Sequence, residues 1–178
     1  MGGVFPSDTT IYIGTVDTIG ASLCVSSNAI VGEIEKFSIT GGEQDVESVP
    51  VIGGFVDKET PRSQFEVSFN VIVNNTAAST FDRWDALKFG GSASEYTSAV
   101  EASKKAITIV MSKDGGTPWK FYAFNNCRAV TWEPEMSSDD MLRGTITFKF
   151  SPTTALGVPN LKTSTCTTST AFPTTWSS

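Results

Sequence analysis

The sequence predicts a mainly β protein with one short helix, and three observations lead to that prediction. Several segments alternate apolar and polar residues over the length of a strand, one segment switches to helical spacing, and a glycine pair joins two arms rich in valine and isoleucine. A chain of 178 residues is long enough for one domain with its own core.

The predicted strands differ in how clearly they alternate. FEVSFNVIV, from Phe65, places an apolar residue at almost every second position, and KAITIVMSK, from Lys105, and LRGTITFKF, from Leu142, follow the same rule. EIEKFSIT, just before the hairpin, predicts a half-buried strand. WKFYAFNNCRAVTWEPE is too long for one flat strand, so we expect a bend or bulge near Asn125-Asn126.

A single segment has the spacing of an amphipathic helix. Phe81, Trp84 and Leu87 recur three residues apart, a capping box at residues 79–82 opens the segment, and Gly90-Gly91 ends it. Such an aromatic stripe packs on a sheet more often than it binds a ligand.

The stretch from Thr40 to Pro61 predicts a long β-hairpin, around which the rest of the chain is organised. Gly53-Gly54 supplies the positive φ angles that a two-residue turn requires. With the turn at these glycines, the expected cross-strand pairs are Ile52 with Phe55, Val51 with Val56, Val49 with Lys58 and Ser48 with Glu59.

The hairpin changes character along its length. A hairpin within a core is apolar along one whole face, whereas this one is apolar on both faces near the tip and acidic near the base. We therefore interpret it as an arm that reaches into a neighbouring subunit, with an ordinary core hairpin as the alternative. The predicted inter-subunit or inter-ring tip comprises Val49, Val51, Ile52, Gly53, Gly54, Phe55 and Val56.

The rest of the chain divides into three parts by composition. Residues 1–27 are polar and broken by glycine and proline, which indicates an N-terminal arm containing one short strand, TIYIG, that is either disordered or docked on another surface. Residues 28–152 contain the strands and the helix. Residues 153–178 are rich in serine, threonine and proline and predict a C-terminal extension.

The composition argues against an enzyme. The chain has no histidine, which excludes Ser-His and Cys-His nucleophile pairs and imidazole metal sites, and it contains no P-loop, Rossmann or EF-hand motif. Asp139-Asp140 with Glu133 and Glu135 form an acidic segment that is more typical of a solvated loop than of a cation site. We expect no catalytic residue, no metal and no cofactor. The net charge of −6 also argues against a basic groove for nucleic acid.

One family resemblance rests on three of these motifs. GGEQDVESVPVIGGFVDKETPRSQFEVSFNVIV, the tryptophan-containing helix after it and the closing LRGTITFKFSP resemble a major tail tube protein of a long-tailed, siphovirus-like bacteriophage or related tailed virus, over residues 33–152. The resemblance implies a sandwich-like β-barrel of two packed antiparallel sheets with one flanking α-helix. It also implies hexameric rings, stacked into a tube, in which each subunit gives four strands to an inner barrel. The long, irregular N-terminal region departs from the most compact members.

The resemblance implies a location and a set of partners. The protein is expected in the virion tail after synthesis and assembly in the host cytoplasm, without membrane insertion. Its partners are other copies of itself, the tape-measure protein, the tail terminator and tip proteins, and viral DNA that passes without specific binding. The carboxylates expected to line the channel and repel phosphates, or else to lie on a solvated outer face, are Glu43, Asp45, Glu47, Asp57, Glu59 and Glu66.

Two alternatives of different class stay open. One is another structural protein of such particles, for example a tail terminator, a head decoration protein or a secretion-system tube. The other is a β-sandwich module that binds carbohydrate or a host receptor, with tryptophan side chains as an exposed platform.

Overall fold

The computed structural model describes residues 9–19, 29–30, 34–72, 83–90, 102–113, 116–135 and 142–166. The described residues form mainly antiparallel strands with a single short helix, so the predicted mainly β class is confirmed. The elements in chain order are β1 (Thr9–Thr15), β2 (Ala29–Ile30), β3 (Ile34–Gly41), β4 (Val46–Val51), β5 (Gly54–Glu59), β6 (Phe65–Ile72), α1 (Arg83–Phe89), β7 (Lys105–Lys113), β8 (Gly116–Glu135), β9 (Arg143–Phe150) and β10 (Leu161–Cys166).

The long strand β8 belongs to two sheets. Its first part, up to Cys127, pairs with β7 on one edge and β10 on the other, and sheet A continues through β7 to β1 and β2. Its last part, from Arg128, pairs with β9, and sheet B continues through β6 to β3. The inner faces of both sheets contribute to one apolar core, as expected of a sandwich.

The core follows directly from the alternation in the sequence. On β6, Val67, Phe69 and Val71 are completely buried, while Asn70 between them is exposed. Ile107 and Ile109 of β7 and the apolar positions of β9 are buried in the same cluster. Helix α1 closes the core, since Trp84 and Leu87 are both buried; Phe81, the third predicted member of the stripe, and the predicted capping box lie outside the described residues.

The predicted irregularity in β8 is present at Asn125-Asn126. Asn126 has φ of 57°, and the pairing with β7 shifts there by one residue, which bends the strand from sheet A into sheet B. The side-chain amide of buried Asn125 donates a hydrogen bond to the Asp17 carboxylate at 2.8 Å, and its Oδ1 accepts one from the Asp17 backbone N–H at 3.0 Å. Asn160 accepts a hydrogen bond from the Asn126 side chain at 2.9 Å and donates its own amide to the Ser151 carbonyl at 3.0 Å. Amide side chains thus fix the bend where the backbone ladder is broken.

Both terminal regions contribute strands to sheet A. Strand β1 pairs with β7 along its full length, and β10 pairs with β8 from Trp119 to Phe124. TIYIG and LKTSTC thus complete sheet A, and the division of the chain after residues 27 and 152 stays a prediction. Sequence alternation missed this role because sheet A is covered on both faces: a second cluster contains Ile19, Val110, Phe121 and Ala123.

Cys127 is expected to be chemically inert in the folded protein. The side chain is completely buried at the bend, and burial raises the pKa of its thiol far above the usual range. In a variant with Cys24 and Cys166 changed to serine, we expect no labelling by a thiol reagent at neutral pH until denaturant unfolds the chain. Rapid labelling of the native variant would show that the bend opens readily.

Because the folded thiol is hard to ionise, its contribution to stability is constant below the ordinary cysteine pKa and falls as the pH rises above it.

Candidate assembly surfaces

The hairpin β4–β5 projects from one end of sheet B. Its two strands pair only with each other, and they continue the direction of the β3–β6 pair across a short break. Backbone hydrogen bonds close this break, from Thr60 to Asp45 at 2.9 Å and from Ser63 to Glu43 at 2.8 Å. Six residues per strand correspond to a projection of about 20 Å. Every residue of both strands is exposed.

The turn of the hairpin lies one residue earlier than expected. Ile52 and Gly53 form the two-residue loop, and Val51 pairs with Gly54. The positive φ of 98° at Gly53 fits the third position of a type II turn, so only one glycine occupies the loop. The four expected pairs were therefore wrong; the observed pairs include Pro50 with Phe55, Val49 with Val56, Ser48 with Asp57 and Glu47 with Lys58.

The tip is apolar on both faces in this register. One face carries Val49, Val51 and Val56, and the other carries Pro50 and Phe55. Phe55 is 75% exposed, and Ile52 at the turn is fully exposed. Such a contiguous apolar tip on a projecting ribbon is typical of a contact surface rather than of a free monomer surface.

The structure does not bring the six candidate carboxylates together on one surface. Glu47 lies opposite Lys58 on one face of the hairpin, and Asp57 and Glu59 lie on the other face. Asp57 accepts a hydrogen bond from the Ser48 hydroxyl, and Glu59 accepts one from the Gln44 amide at 3.0 Å. Glu43 and Asp45 are exposed at the hairpin base, whereas Glu66 lies on sheet B.

The outer face of sheet B is a polar surface that sequence reasoning did not single out. Ser68 and Thr147 lie side by side on it, with their hydroxyl oxygens 3.0 Å apart. Glu66 lies 3.3 Å from Lys149 in an ion pair. Cationic and carboxylate side chains are equal in number on this surface. The cationic residues are Lys36, Arg128, Arg143 and Lys149, and the carboxylates are Glu35, Glu66, Glu133 and Glu135. The alternation contained the signal, but sequence alone does not show which strands are neighbours.

Trp132 holds the end of sheet B against helix α1. Its indole nitrogen donates to the Asp85 carboxylate at 2.9 Å, and its ring stacks on Trp84 with 6.2 Å between ring centroids. Trp84 is completely buried and Trp132 is half-buried. Neither ring belongs to an exposed platform of the kind that a carbohydrate-binding module uses.

Gly144 makes this arrangement possible, because a Cβ atom there would lie 2.5 Å from the Trp132 ring. We expect Gly144→Ala to lower the free energy of unfolding by about 1–3 kcal/mol, since the packed ring cannot move aside without strain. Urea denaturation measures the loss. Thr145→Ala is the control on the opposite face of β9, with an expected change within about 0.5 kcal/mol. Equal stability of both variants would contradict the close contact.

The described residues offer little else for a chemical site. They include no cluster of acidic or cysteine side chains that could hold a metal ion. No helix among them is long and apolar enough to cross a membrane. Asp139-Asp140 lie outside the described ranges.

Solved structures of contractile injection systems resemble the fold. A chain of the anti-feeding prophage baseplate, determined with six-fold symmetrisation, matches at a TM-score of 0.55 and 10% identity, over 92% of this chain and 97% of that chain. The anti-feeding prophage tube-terminating cap matches at 0.53 and 11% identity, over 93% of each chain. The chain shares their fold. A third match is the sheath/tube terminator of the extracellular contractile injection system PVC, at 0.52 and 13% identity, over 92% of this chain and 98% of that chain.

These likenesses support the predicted fold without resolving the family. No family model matches the sequence, and no curated protein matches it significantly. The resemblance to phage-tail-like components is supported at the level of fold. The narrower assignment to long-tailed, siphovirus-like particles is not supported, because these structural neighbours come from contractile systems.

Proposed function

We propose that this chain is a structural subunit of a phage-tail-like tube, in which hexameric rings stack into a hollow conduit for delivery of a viral genome. The observation that carries the proposal is the projecting hairpin with an apolar tip on both faces. A single subunit leaves that tip in water, whereas a stacked ring would cover it. Burial of each valine, isoleucine or phenylalanine side chain contributes roughly 1.5–3 kcal/mol.

Sheet B has the form that such a ring requires. It ends in strands whose outer edges, within the described residues, pair with nothing. Exposed edges invite aggregation unless another chain covers them, and identical neighbours cover them symmetrically. Six copies of a four-stranded sheet would give a barrel of about 24 strands, more than the roughly 16–18 strands that already enclose an aqueous channel.

In this arrangement the polar face of sheet B lines the channel. Its cationic and carboxylate side chains balance, so it offers DNA neither a basic groove nor a strong barrier. Of the proposed lumen carboxylates, Glu66 lies on this face beside Lys149. The other five lie on the hairpin, at the level between one ring and the next. Their repulsion of phosphates is screened beyond about 8–10 Å at physiological salt.

The proposal includes the partners of such a tube and no catalytic step. Other copies of the chain form the rings, a tape-measure protein occupies the channel during assembly, and terminator and tip proteins close the ends. The protein then lies in the tail of the particle after synthesis and assembly in the host cytoplasm. Viral DNA passes through without specific binding.

A tube terminator is the second candidate, and a specific observation favours it. Two of the structural neighbours are a tube-terminating cap and a sheath/tube terminator. A terminator forms one ring and stops, whereas a tube subunit keeps adding rings.

Sedimentation velocity over a wide range of protein concentration tests the proposal. A tube subunit gives species that continue to grow beyond the mass of one ring as concentration rises. A plateau at a single ring would favour the terminator. A monomer at every concentration, with the other tail components added, would contradict both.

A further inference from the structure

The two free edges of sheet B have matched geometry. Strand β3 forms one edge, and the last part of β8 forms the other. In a sheet of four antiparallel strands, the two edge strands run in opposite directions. The edge strand of a copy related by rotation can therefore pair antiparallel with the edge strand of its neighbour and continue the antiparallel sheet. Bulges interrupt β3 at Glu35 and β8 at Val130, which leaves regular runs at 36–41 and 131–135.

A polar row crosses the sheet between these edges. Lys36 lies opposite Asn70, Asn70 opposite Thr145, and Thr145 opposite Glu133. Directly opposed residues of a sheet point to the same face. Lys36 and Glu133 are both exposed, and their cross-strand neighbours are uncharged. One edge of the row therefore carries a cation and the other a carboxylate.

The neighbouring row of residues lies on the core face of the sheet and is apolar. It runs from Phe37 through Phe69 and Ile146 to Trp132. The two inner members are completely buried, while Phe37 and Trp132 at the edges are only half-buried. Each edge thus leaves part of an aromatic ring uncovered at the same level of the sheet.

We propose that β3 of one copy pairs antiparallel with residues 131–135 of the next, in a level register that places Lys36 opposite Glu133 and Phe37 opposite Trp132. The partner is a second copy of this chain, and the inference rests on the proposed function. The register brings opposite charges together on the polar face and two aromatic rings together on the core face. A one-residue slip would move Lys36 to the face opposite Glu133.

Two competing arrangements lack this complementarity. Pairing of β3 with β3 about a two-fold axis puts no carboxylate of the polar row against Lys36. A slip of two residues puts Lys36 opposite Glu135, whose directly opposed residue is Arg143; the Arg143 guanidinium also lies 3.6 Å from the Glu35 carboxylate. Glu133, with Thr145 across from it, is the carboxylate that lacks a cationic cross-strand neighbour.

Charge reversal tests the register. We expect Lys36→Glu and Glu133→Lys, each alone, to raise the protein concentration needed for ring formation by about tenfold or more, since each places like charges at every contact. The double variant restores assembly to near the wild-type concentration. The penalty of each single variant shrinks in 1 M salt. Unchanged circular dichroism and melting temperature show that the subunits remain folded.

Three outcomes would overturn the inference. Rescue of Lys36→Glu by Glu135→Lys, and not by Glu133→Lys, would place the register two residues away. Wild-type rings with no rescue by either reversal would leave the proposed function standing and remove this pairing. A wild-type chain that never forms rings would contradict both the proposed function and this pairing.

A disulfide gives a direct positive readout of the same register. Ser38 and Thr131 occupy the next position of the polar face on each edge. In a background with Cys24 and Cys166 changed to serine, Ser38→Cys with Thr131→Cys is expected to give a ladder of covalent oligomers on oxidation of assembled protein. The two single variants give no ladder. Assembled rings without cross-links in the double variant would contradict the level pairing.

Discussion

Replacement of Ile52 and Phe55 by aspartate is expected to abolish tube elongation and to leave the subunit folded. Both side chains are exposed, and they belong to a hairpin whose two strands pair only with each other, so the core loses no contact. Elongation fails because the apolar surface that a neighbouring ring would bury is replaced by two charges. Electron microscopy of concentrated protein measures elongation, and circular dichroism monitors the fold.

A control separates lost burial from added charge. Ile52→Ser with Phe55→Ser removes the apolar surface without introducing a carboxylate, and we expect it to weaken elongation less than the aspartate pair. Unfolding of the aspartate variant would place the tip in the subunit's own core. Normal polymerisation would show that the hairpin plays no part in assembly.

Phe69→Ala is expected to have the largest effect on stability, a loss of about 3–5 kcal/mol in the free energy of unfolding. Phe69 is completely buried at the centre of β6 and packs edge-to-face on Phe148, with 6.1 Å between ring centroids. Removal of the ring leaves a cavity in the apolar core beneath sheet B. Such a loss is a large part of the roughly 5–15 kcal/mol that stabilises a typical domain.

Phe55→Ala is the matched control for this substitution. The same ring is removed from the exposed hairpin, so chemical denaturation of the monomer should detect a change within about 0.5 kcal/mol. A similar loss in both variants would contradict the assignment of β6 to the core and of the hairpin to the surface.

The sequence predicted the core strands well because their environment is simple. In sheet B each strand has one buried and one solvated face, so the alternation in FEVSFNVIV reports the burial of Phe69 directly. The bulge at Asn125-Asn126 was also predictable, since a segment of that length cannot remain flat. Both features depend only on the residues of short segments of the chain.

Features that depend on distant contacts were not predictable in the same way. Strand β1 has no clear alternation, because sheet A is covered on both faces and Tyr12 packs beside the second cluster while Ile11 packs in the main core. The hairpin register depended on whether one or both glycines lie in the loop; with only Gly53 in the loop, Val49 pairs with Val56 and Lys58 pairs with Glu47. The position of Lys36 and Glu133 at opposite ends of one row follows from the strand order β8-β9-β6-β3, which the sequence alone does not show.

The structural neighbours bear on the kind of particle. They belong to contractile systems, whose described assemblies include a sheath/tube terminator and a baseplate. The sequence motifs resemble tube proteins of long-tailed, siphovirus-like particles. The proposed tube subunit is compatible with either kind of particle, because the role proposed for the hairpin concerns the stacking of rings and not what surrounds the tube.

Negative-stain electron microscopy of the purified, concentrated protein shows directly whether the subunits form rings and tubes. We expect hollow rings with six-fold symmetry in end views and stacked tubes in side views. A homogeneous population of single subunits at the highest attainable concentration, unchanged after addition of the other tail components, would contradict the proposed assembly.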